Sequence, residues 1–339
     1  MRFRHLLRTV RRSLTSRWPG STEREPVTDG GTATVEQPRS QGGVVTRILD
    51  SRFFQSLPFW LPPAILVGFF VYGAIGWNLL ISLTNWDGLG DPTYGSLDFS
   101  MYAKMFSDPL FWRAAKNTVV LIVGFTVACL VVGLLLAILI DRGIRLENTF
   151  RTIYLLPMSL SFVVTAKFWA WMYNPDNGLV NATLEGIGLD FLTAQWLQNP
   201  QIVLGAVIFA LIWQFSGYAM VMFLAGLRSI PDEHYEAARV DGASTLKMYW
   251  RVIIPQLRAS TVGAAVVLMV FALKAFDFIY VMFGKNPGPG TDILAVMMYR
   301  ESFASLNWAY GSAIAIILFV MALAIIAPYL YSQYRRGEL

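Results

Sequence analysis

The stretch that decides the fold class is Asn117–Ile140, which reads NTVVLIVGFTVACLVVGLLLAILI and contains no Asp, Glu, Lys or Arg. A helix needs about 20 apolar residues to cross roughly 30 Å of hydrocarbon. A strand of a membrane barrel is shorter, about 10 residues, and alternates between apolar and polar side chains. The continuous apolar run therefore predicts a transmembrane helix and excludes a barrel strand.

Five further windows have the same length and character: Phe59–Thr84, Thr152–Tyr173, Gln201–Leu227, Ala259–Phe283 and Leu306–Tyr331. Charged residues occur in two of them, Lys167 in one and Lys274 with Asp277 in another. We therefore predict an all-α membrane protein whose residues 53–339 form six transmembrane helices.

The composition excludes the other broad classes. Of the 339 residues, 55% are hydrophobic and only 14% are charged, whereas soluble domains carry about 25% charged residues. The single cysteine, Cys129, cannot form an intrachain disulfide. A soluble globule, a disordered chain and a disulfide-stapled fold are all incompatible with these values.

The net charge of +5 comes from the start of the chain, because residues 1–52 hold ten Arg against five acidic residues, whereas residues 53–339 hold 17 of each sign. We predict that residues 1–52 form a cytoplasmic basic tail and linker. The tail is either a short amphipathic helix on an anionic membrane surface or a disordered segment. The expected partner of the basic charge is the lipid bilayer, and we expect no nucleic-acid partner.

The basic residues between the windows predict the orientation. Six spans place both termini on one side, and that side would hold 20 Lys and Arg against five on the other. Because positively charged loops stay in the cytoplasm, we expect the N- and C-termini to be cytoplasmic.

The connection 228–258 has the composition of a cytoplasmic helix–turn–helix. Pro231 followed by Asp232 is typical of a helix start. Gly242 can end that helix, since glycine accepts a positive φ without steric cost. Ser244 can cap a second helix, and Pro255 lies before the fifth window.

This connection resembles a known motif. Glu236-Ala237-Ala238, then Gly242, then Val252-x-Ile254-Pro255 follow the spacing E-A-A-x3-G-x9-I-x-L-P, with Val and Ile in place of Ile and Leu. That spacing is the EAA loop of ABC import permeases, and Asp241 completes the Asp-Gly-Ala string that often accompanies it.

The resemblance covers about residues 55–335 and is greatest with the maltose-permease-like, sugar-importing branch. It rests on Thr84–Trp86, Phe106–Trp112, Leu155–Pro157 and Phe276–Val281. Gly284–Thr291 departs from the usual turn in its first residues. The resemblance implies a multi-pass permease in a prokaryotic cell membrane that imports a sugar in a binding-protein-dependent system. The implied partners are a second homologous permease, two copies of a cytosolic ABC ATPase and an extracytoplasmic solute-binding protein.

The resemblance also implies the role of the loop, which would dock on the ATPase as a coupling helix. We expect the ATPase-coupling residues to be Glu236, Ala237, Ala238, Asp241, Gly242 and Pro255. Glu236 would pair with a basic residue of the ATPase, although a solvated helix charge is the alternative. The sequence has no G-x4-G-K-[ST] phosphate loop, so we expect no enzyme activity, no bound cofactor and no metal, with ATP used by the partner.

Polar groups inside the spans are candidates for the substrate pathway, because sugars stack on aromatic rings and bind amides and charges. The candidates are Trp213, Gln214, Gly217, Tyr218, Lys274 and Asp277. Gly217 alternatively serves close helix packing. Lys274 and Asp277, three residues apart, would lie on one helix face and could neutralise each other.

Other functions stay open. The solute could be a related polar compound such as glycerol 3-phosphate. A membrane-embedded enzyme is disfavoured because His5 and His234 are the only histidines. A channel or secondary carrier is disfavoured because we find no clear internal repeat.

Overall fold

A computed structural model of the protein describes residues 52–92, 94–95, 97–143 and 145–335. Within these ranges the regular structure is helical and contains no β-strand. The described residues from Ala64 onward form one compact unit. The predictions for residues 1–51 lie outside the described residues, and the division between tail and permease domain after residue 52 stays a prediction.

The helices are named in chain order: α1 Arg52–Val67, α2 Gly73–Ser82, α3 Ser100–Ser107, α4 Pro109–Asp141, α5 Glu147–Leu155, α6 Phe162–Met172, α7 Leu179–Gly186, α8 Val203–Leu227, α9 Asp232–Val240, α10 Thr245–Met248, α11 Ile254–Gln256, α12 Arg258–Leu273, α13 Phe276–Phe283, α14 Leu294–Tyr299 and α15 Trp308–Arg335. Three π-helical turns lie at Gly68–Tyr72, Tyr249–Ile253 and Arg300–Ala304, and 3-10 turns lie at Leu156–Ser159 and Asp190–Leu192.

Five helical segments are long and apolar enough to cross a membrane, which confirms five of the six windows: Ser56–Ser82, Pro109–Asp141, Val203–Leu227, Arg258–Phe283 and Trp308–Arg335. α4 shows why such segments form. Pro109 occupies its first turn, and the Asp108 carboxylate accepts a hydrogen bond of 2.8 Å from the Leu110 amide. The 33 residues of α4 extend about 50 Å, which exceeds the hydrocarbon thickness.

The third window is not one straight helix, and in this respect the prediction of a continuous span over Thr152–Tyr173 is wrong. The segments Glu147–Ser159 and Phe162–Met172 meet at an angle of 100°. Pro157 has no amide hydrogen to donate, and Leu160 is extended with φ −78° and ψ 143°. The Ser161 hydroxyl then accepts a hydrogen bond from the Val164 amide and starts α6 anew. A sixth span exists only if this bent pair counts as one.

The fifth window is interrupted in its second half. α12 ends at Leu273 and α13 begins at Phe276, so that Lys274 and Ala275 form a turn between them. Lys274 therefore lies in the turn and Asp277 in the first turn of α13, and the shared face of the two side chains stays a prediction. Both side chains are exposed, and within the described residues no ion pair joins them.

The core forms around α8. In the most apolar 18-residue stretch of this helix, 61% of the residues are buried. α8 packs on α4 at short range, because a Cβ added at Gly133 would overlap Ala219. Small residues at such contacts let two backbones approach closely, which replaces the hydrophobic driving force that helices lack in lipid. Phe125 and Phe215 continue the contact with ring centroids 5.8 Å apart. α4 and α8 thus form the scaffold from which the connecting loops extend.

Candidate functional site

The loop that carries the EAA pattern folds as a helix, a glycine turn and a second helix. α9 begins with Asp232 and Glu233 in its first turn and has Arg239 in its last, which matches the helix dipole at both ends. Gly242 has φ +71°, and its amide donates to the Arg239 carbonyl at 3.0 Å. Ser244 stands at the start of α10, but its hydroxyl makes no capping hydrogen bond.

The motif residues divide into one buried position and an exposed set. Ala238 is 6% exposed and packs in a cluster with Phe223 of α8 and Ile253 of the following π-helical turn. Glu236, Ala237, Asp241 and Gly242 are exposed, as is Pro255. α9 therefore rests on the membrane domain through Ala238. The other motif residues remain accessible to a partner.

A polar cavity of about 790 Å³ lies beside α9. Its lining contains three acidic and three basic side chains: Asp141, Asp232, Glu236, Arg142, Arg228 and Arg239. Tyr235 also lines it, and burial followed by the charge of Asp141 raises the pKa of Tyr235 to about 12. Arg228, which follows α8, forms an ion pair with Glu147 of α5. The cavity thus brings charged residues of α9 beside charged residues at the ends of α4 and α8.

The sequence predicted exposed apolar groups in this loop without naming them, and the structure identifies three. Val240 is 87% exposed, Leu246 80% and Trp250 72%. Leu246 and Trp250 are four residues apart on a helical segment, which places them on one side. The i, i+4 spacing of Leu246 and Trp250 is the sequence signal that predicts a shared apolar face.

Two of the substrate-pathway candidates lie where α8 contacts the bend of the third window. Gln214 is 1% exposed, and its amide Nε2 donates to the Leu160 carbonyl at 2.8 Å. Gly217 leaves no room for a side chain, since an added Cβ would overlap the Tyr154 carbonyl oxygen. In this conformation both residues serve helix packing.

The remaining candidates are more accessible. Trp213 is half-buried and stacks on Phe168, with ring centroids 5.7 Å apart and planes 24° apart. Tyr218 is half-buried with its ring edge on Phe271 at 6.4 Å. Phe271 precedes the turn that exposes Lys274 and Asp277 by a few residues. Tyr218 thus contacts Phe271 of α12, and Trp213 contacts Phe168 of α6.

A row of aromatic rings near this turn was not visible in the sequence. It consists of Phe276, Tyr280, Tyr299, Phe303 and Trp308, with successive ring centroids 5.3, 5.0, 5.2 and 5.5 Å apart. The rings belong to α13, α14, the π-helical turn after α14 and α15. Because they come from separate elements, only the folded chain brings them into line.

Among the described residues, no group of three or more His, Cys, Asp or Glu side chains could hold a metal ion. The charged residues that line the polar cavity include both signs, three acidic and three basic.

Comparison with known families decides what this arrangement belongs to. Residues 129–337 match the family described as binding-protein-dependent transport system inner membrane component. The chain belongs to this family. It is a multi-pass permease of the inner-membrane type, and the matched range includes the EAA loop and every substrate-pathway candidate.

Relatives of the permease extend the match beyond that range. It is 56% identical over 292 residues to the xylose/arabinose import permease protein XacH of Haloferax volcanii, covering 86% of this chain and 92% of the relative. It is 30% identical over 305 residues to the diacetylchitobiose uptake system permease protein NgcF of Streptomyces coelicolor, covering 86% of each chain. These relatives are permease subunits that import sugars.

The fold also matches a solved structure. A chain of a bacterial ABC transporter involved in the import of the acidic polysaccharide alginate aligns with a TM-score of 0.70 and 24% identity. The alignment covers 86% of this permease and 98% of that chain. The chain, with its bent third segment and its interrupted fifth segment, therefore has an ABC importer permease fold.

Proposed function

We propose that this permease forms one half of the translocation pathway of an ATP-driven importer for a sugar. The observation that carries the proposal is the helix–turn–helix of α9 and α10, which presents Glu236 and Ala237 outward while Ala238 holds it on the membrane domain. A sugar as solute is supported by the 56% identity to a xylose/arabinose permease. Pentoses are therefore the first solutes to test.

The coupling role falls to the exposed motif residues. Glu236 pairs with a basic side chain of the ATPase, because an exposed carboxylate on a docked helix gains most from a complementary charge. Ala237 permits close backbone approach, and Gly242 with Asp241 sets the turn. Pro255 lies where the loop re-enters the membrane domain. The chain itself acts as a transport subunit, not as an enzyme.

The substrate pathway includes the turn at Lys274 and Asp277 and the aromatic row from Phe276 to Trp308. Exposed charges inside an apolar window are costly in lipid, by roughly 2.5–3.5 kcal/mol each on insertion scales. They are better accommodated where they face a polar cavity or a second subunit. The aromatic row offers ring faces to the apolar C–H surfaces of a sugar.

The complete transporter contains a second homologous permease, two copies of a cytosolic ABC ATPase and an extracytoplasmic binding protein. The loop with α9 lies on the cytoplasmic side, together with both termini. The permease binds no cofactor, and ATP is bound by the partner. The excess of Lys and Arg on the α9 side of the spans supports this orientation.

Uptake by the complete transporter tests the proposal. Proteoliposomes carrying the permease with its co-purified subunits should accumulate labelled xylose or arabinose only when ATP is supplied on the α9 side. Omission of the ATPase should abolish uptake. Pentose entry that continues without ATPase or ATP would contradict the proposal in favour of a channel or secondary carrier.

The same assay separates the alternative solutes. If labelled glycerol 3-phosphate accumulates in an ATP-dependent manner and labelled pentoses do not, the permease imports a polyol phosphate instead. A membrane-embedded enzyme would convert the labelled solute, so chromatography of the accumulated material should recover it unchanged.

A further inference from the structure

An apolar groove runs between α4 and the helical segment that follows the EAA turn. Its volume is about 520 Å³. α4 contributes one wall, including Val131, Leu135 and Ile138, and the other wall includes Leu246, Trp250 and Ile254. Leu135 is 57% exposed and Trp250 is 72% exposed, so the groove is open along its length.

A cation stands at one end of the groove. Arg142 belongs to the lining, and its guanidinium lies over the Tyr249 ring at 5.9 Å from the centroid. No carboxylate among the described residues lies within 4.0 Å of this guanidinium. Arg142 is exposed and therefore available to an anion.

Leu246 and Trp250 form an exposed apolar surface, here named the Leu246–Trp250 ridge, and two further cations flank it. A second cavity of about 330 Å³ shares Leu246 and Trp250 and adds Lys247 and Arg251. The segment therefore carries exposed apolar side chains between basic ones. Such an amphipathic pattern is typical of helices that lie at the membrane surface among anionic headgroups.

The length of the groove matches one leaflet. Val131 and Arg142 are 11 residues apart on the α4 side, which corresponds to about 16 Å along a helix axis. Half of the roughly 30 Å hydrocarbon core is about 15 Å. A hydrocarbon chain whose headgroup is held at Arg142 would thus reach Val131 near the middle of the bilayer.

We propose that this groove binds an anionic membrane lipid, with a hydrocarbon chain between α4 and the Leu246–Trp250 ridge and the phosphate on Arg142. The site lies directly after Gly242 in the chain. The lipid therefore supports the segment that positions α9. The lipid site is independent of which solute the permease carries.

Lipid retention by the purified permease, with any co-purified subunits, tests the charge requirement. Native mass spectrometry after mixing with phosphatidylglycerol should show retained lipid, whereas phosphatidylcholine should be retained about fivefold less. Arg142→Gln should reduce phosphatidylglycerol retention by about the same factor. Arg335→Gln is the matched control, because Arg335 also lies over a ring, that of Tyr331 at 5.8 Å. The Arg335→Gln variant should retain as much phosphatidylglycerol as the wild type.

Equal retention of phosphatidylglycerol by the wild type and Arg142→Gln, or equal retention of the two lipids, would overturn the proposal. A photoreactive p-benzoylphenylalanine placed at Leu135 tests the occupant directly. A lipid adduct is the expected product. A crosslink to a polypeptide, whether a second permease, an ATPase or another copy of this chain, would also overturn it, as would the absence of a lipid adduct.

Discussion

The side-chain amide Nε2 of Gln214 donates a hydrogen bond of 2.8 Å to the main-chain carbonyl oxygen of Leu160. Leu160 lies at the 100° bend of the third window, where the carbonyl has no helical partner. A buried carbonyl without a hydrogen bond is costly, above all in an apolar environment. α8 therefore supplies the polar group that makes the break in the third span tolerable.

Removal of this amide should destabilise the permease. Gln214→Leu leaves the Leu160 carbonyl without a partner, and we expect a loss of about 1–3 kcal/mol in the free energy of unfolding. The measurement is thermal unfolding in detergent. Gln201→Leu, an exposed site just before α8, is the control. A melting temperature equal to that of the wild type in Gln214→Leu would refute a supporting role of this hydrogen bond.

A side chain at Gly217 should disturb the same contact through sterics. Gly217→Ala would place its Cβ on the Tyr154 carbonyl, so that α8 or α5 must shift, at a cost of about 1–3 kcal/mol. Gly205→Ala lies in the same helix with nothing within 4 Å of the added Cβ and should be neutral or slightly stabilising. The two melting temperatures should differ clearly. Equal values would mean that the close approach is unimportant.

The ion pair between Arg300 and Asp292, at 2.8 Å, should make the stability of the permease depend on pH. Burial raises the pKa of Asp292, although the hydrogen bond and charge of Arg300 oppose the shift. A carboxyl group with a raised pKa in the folded state makes stability fall as pH increases through the interval between its unfolded and folded pKa. Arg300→Gln removes the hydrogen bond and the positive charge that oppose the shift, so the pKa of Asp292 should rise further. The fall in stability should then extend to higher pH.

Melting temperatures measured from pH 4 to pH 8 check this expectation. Arg300→Gln should lose more stability than the wild type towards pH 8, in total about 3–5 kcal/mol, because a buried charge is left unpaired. Arg113→Gln, an exposed residue in the lining of the cavity next to this pair, should follow the wild-type profile. Parallel profiles for Arg300→Gln and the wild type would exclude a buried charge at Asp292.

The aromatic row should affect uptake more than folding. Phe303 is 58% exposed, so Phe303→Ala should change the free energy of unfolding by less than about 1 kcal/mol. If a sugar stacks on this ring, the KM for uptake should rise several-fold. An unchanged KM would remove Phe303 from the pathway.

The sequence predicted the membrane class, five of the spans and the position of the helix–turn–helix. Continuous apolar runs and the pair Pro231 and Gly242 are local signals, so they can be read without tertiary information. The bend at Leu160 was missed because its support, Gln214, is 54 residues away in the chain. The turn at Lys274 was missed because the flanking residues are good helix formers.

The candidate site was predictable to the extent that it is a local motif. The spacing from Glu236 to Pro255 predicted the helix–turn–helix that the structure shows, and its role as a coupling loop stays a prediction. The assignment of Gln214 and Gly217 to the pathway rested on residue type and spacing and stays a prediction, while the structure shows both at a packing contact. The contact of Lys274 and Asp277 with solute stays a prediction, because residue type and span position do not define the surface that the two side chains face.

The most direct test is substrate-stimulated ATP hydrolysis measured beside uptake in the Glu236→Lys variant of the complete transporter. If Glu236 couples the permease to the ATPase, the variant should insert and assemble but lose most sugar uptake, and substrate should no longer stimulate its ATP hydrolysis, whereas Glu236→Asp should retain much of both activities. Wild-type uptake together with wild-type stimulation of hydrolysis in Glu236→Lys would contradict it.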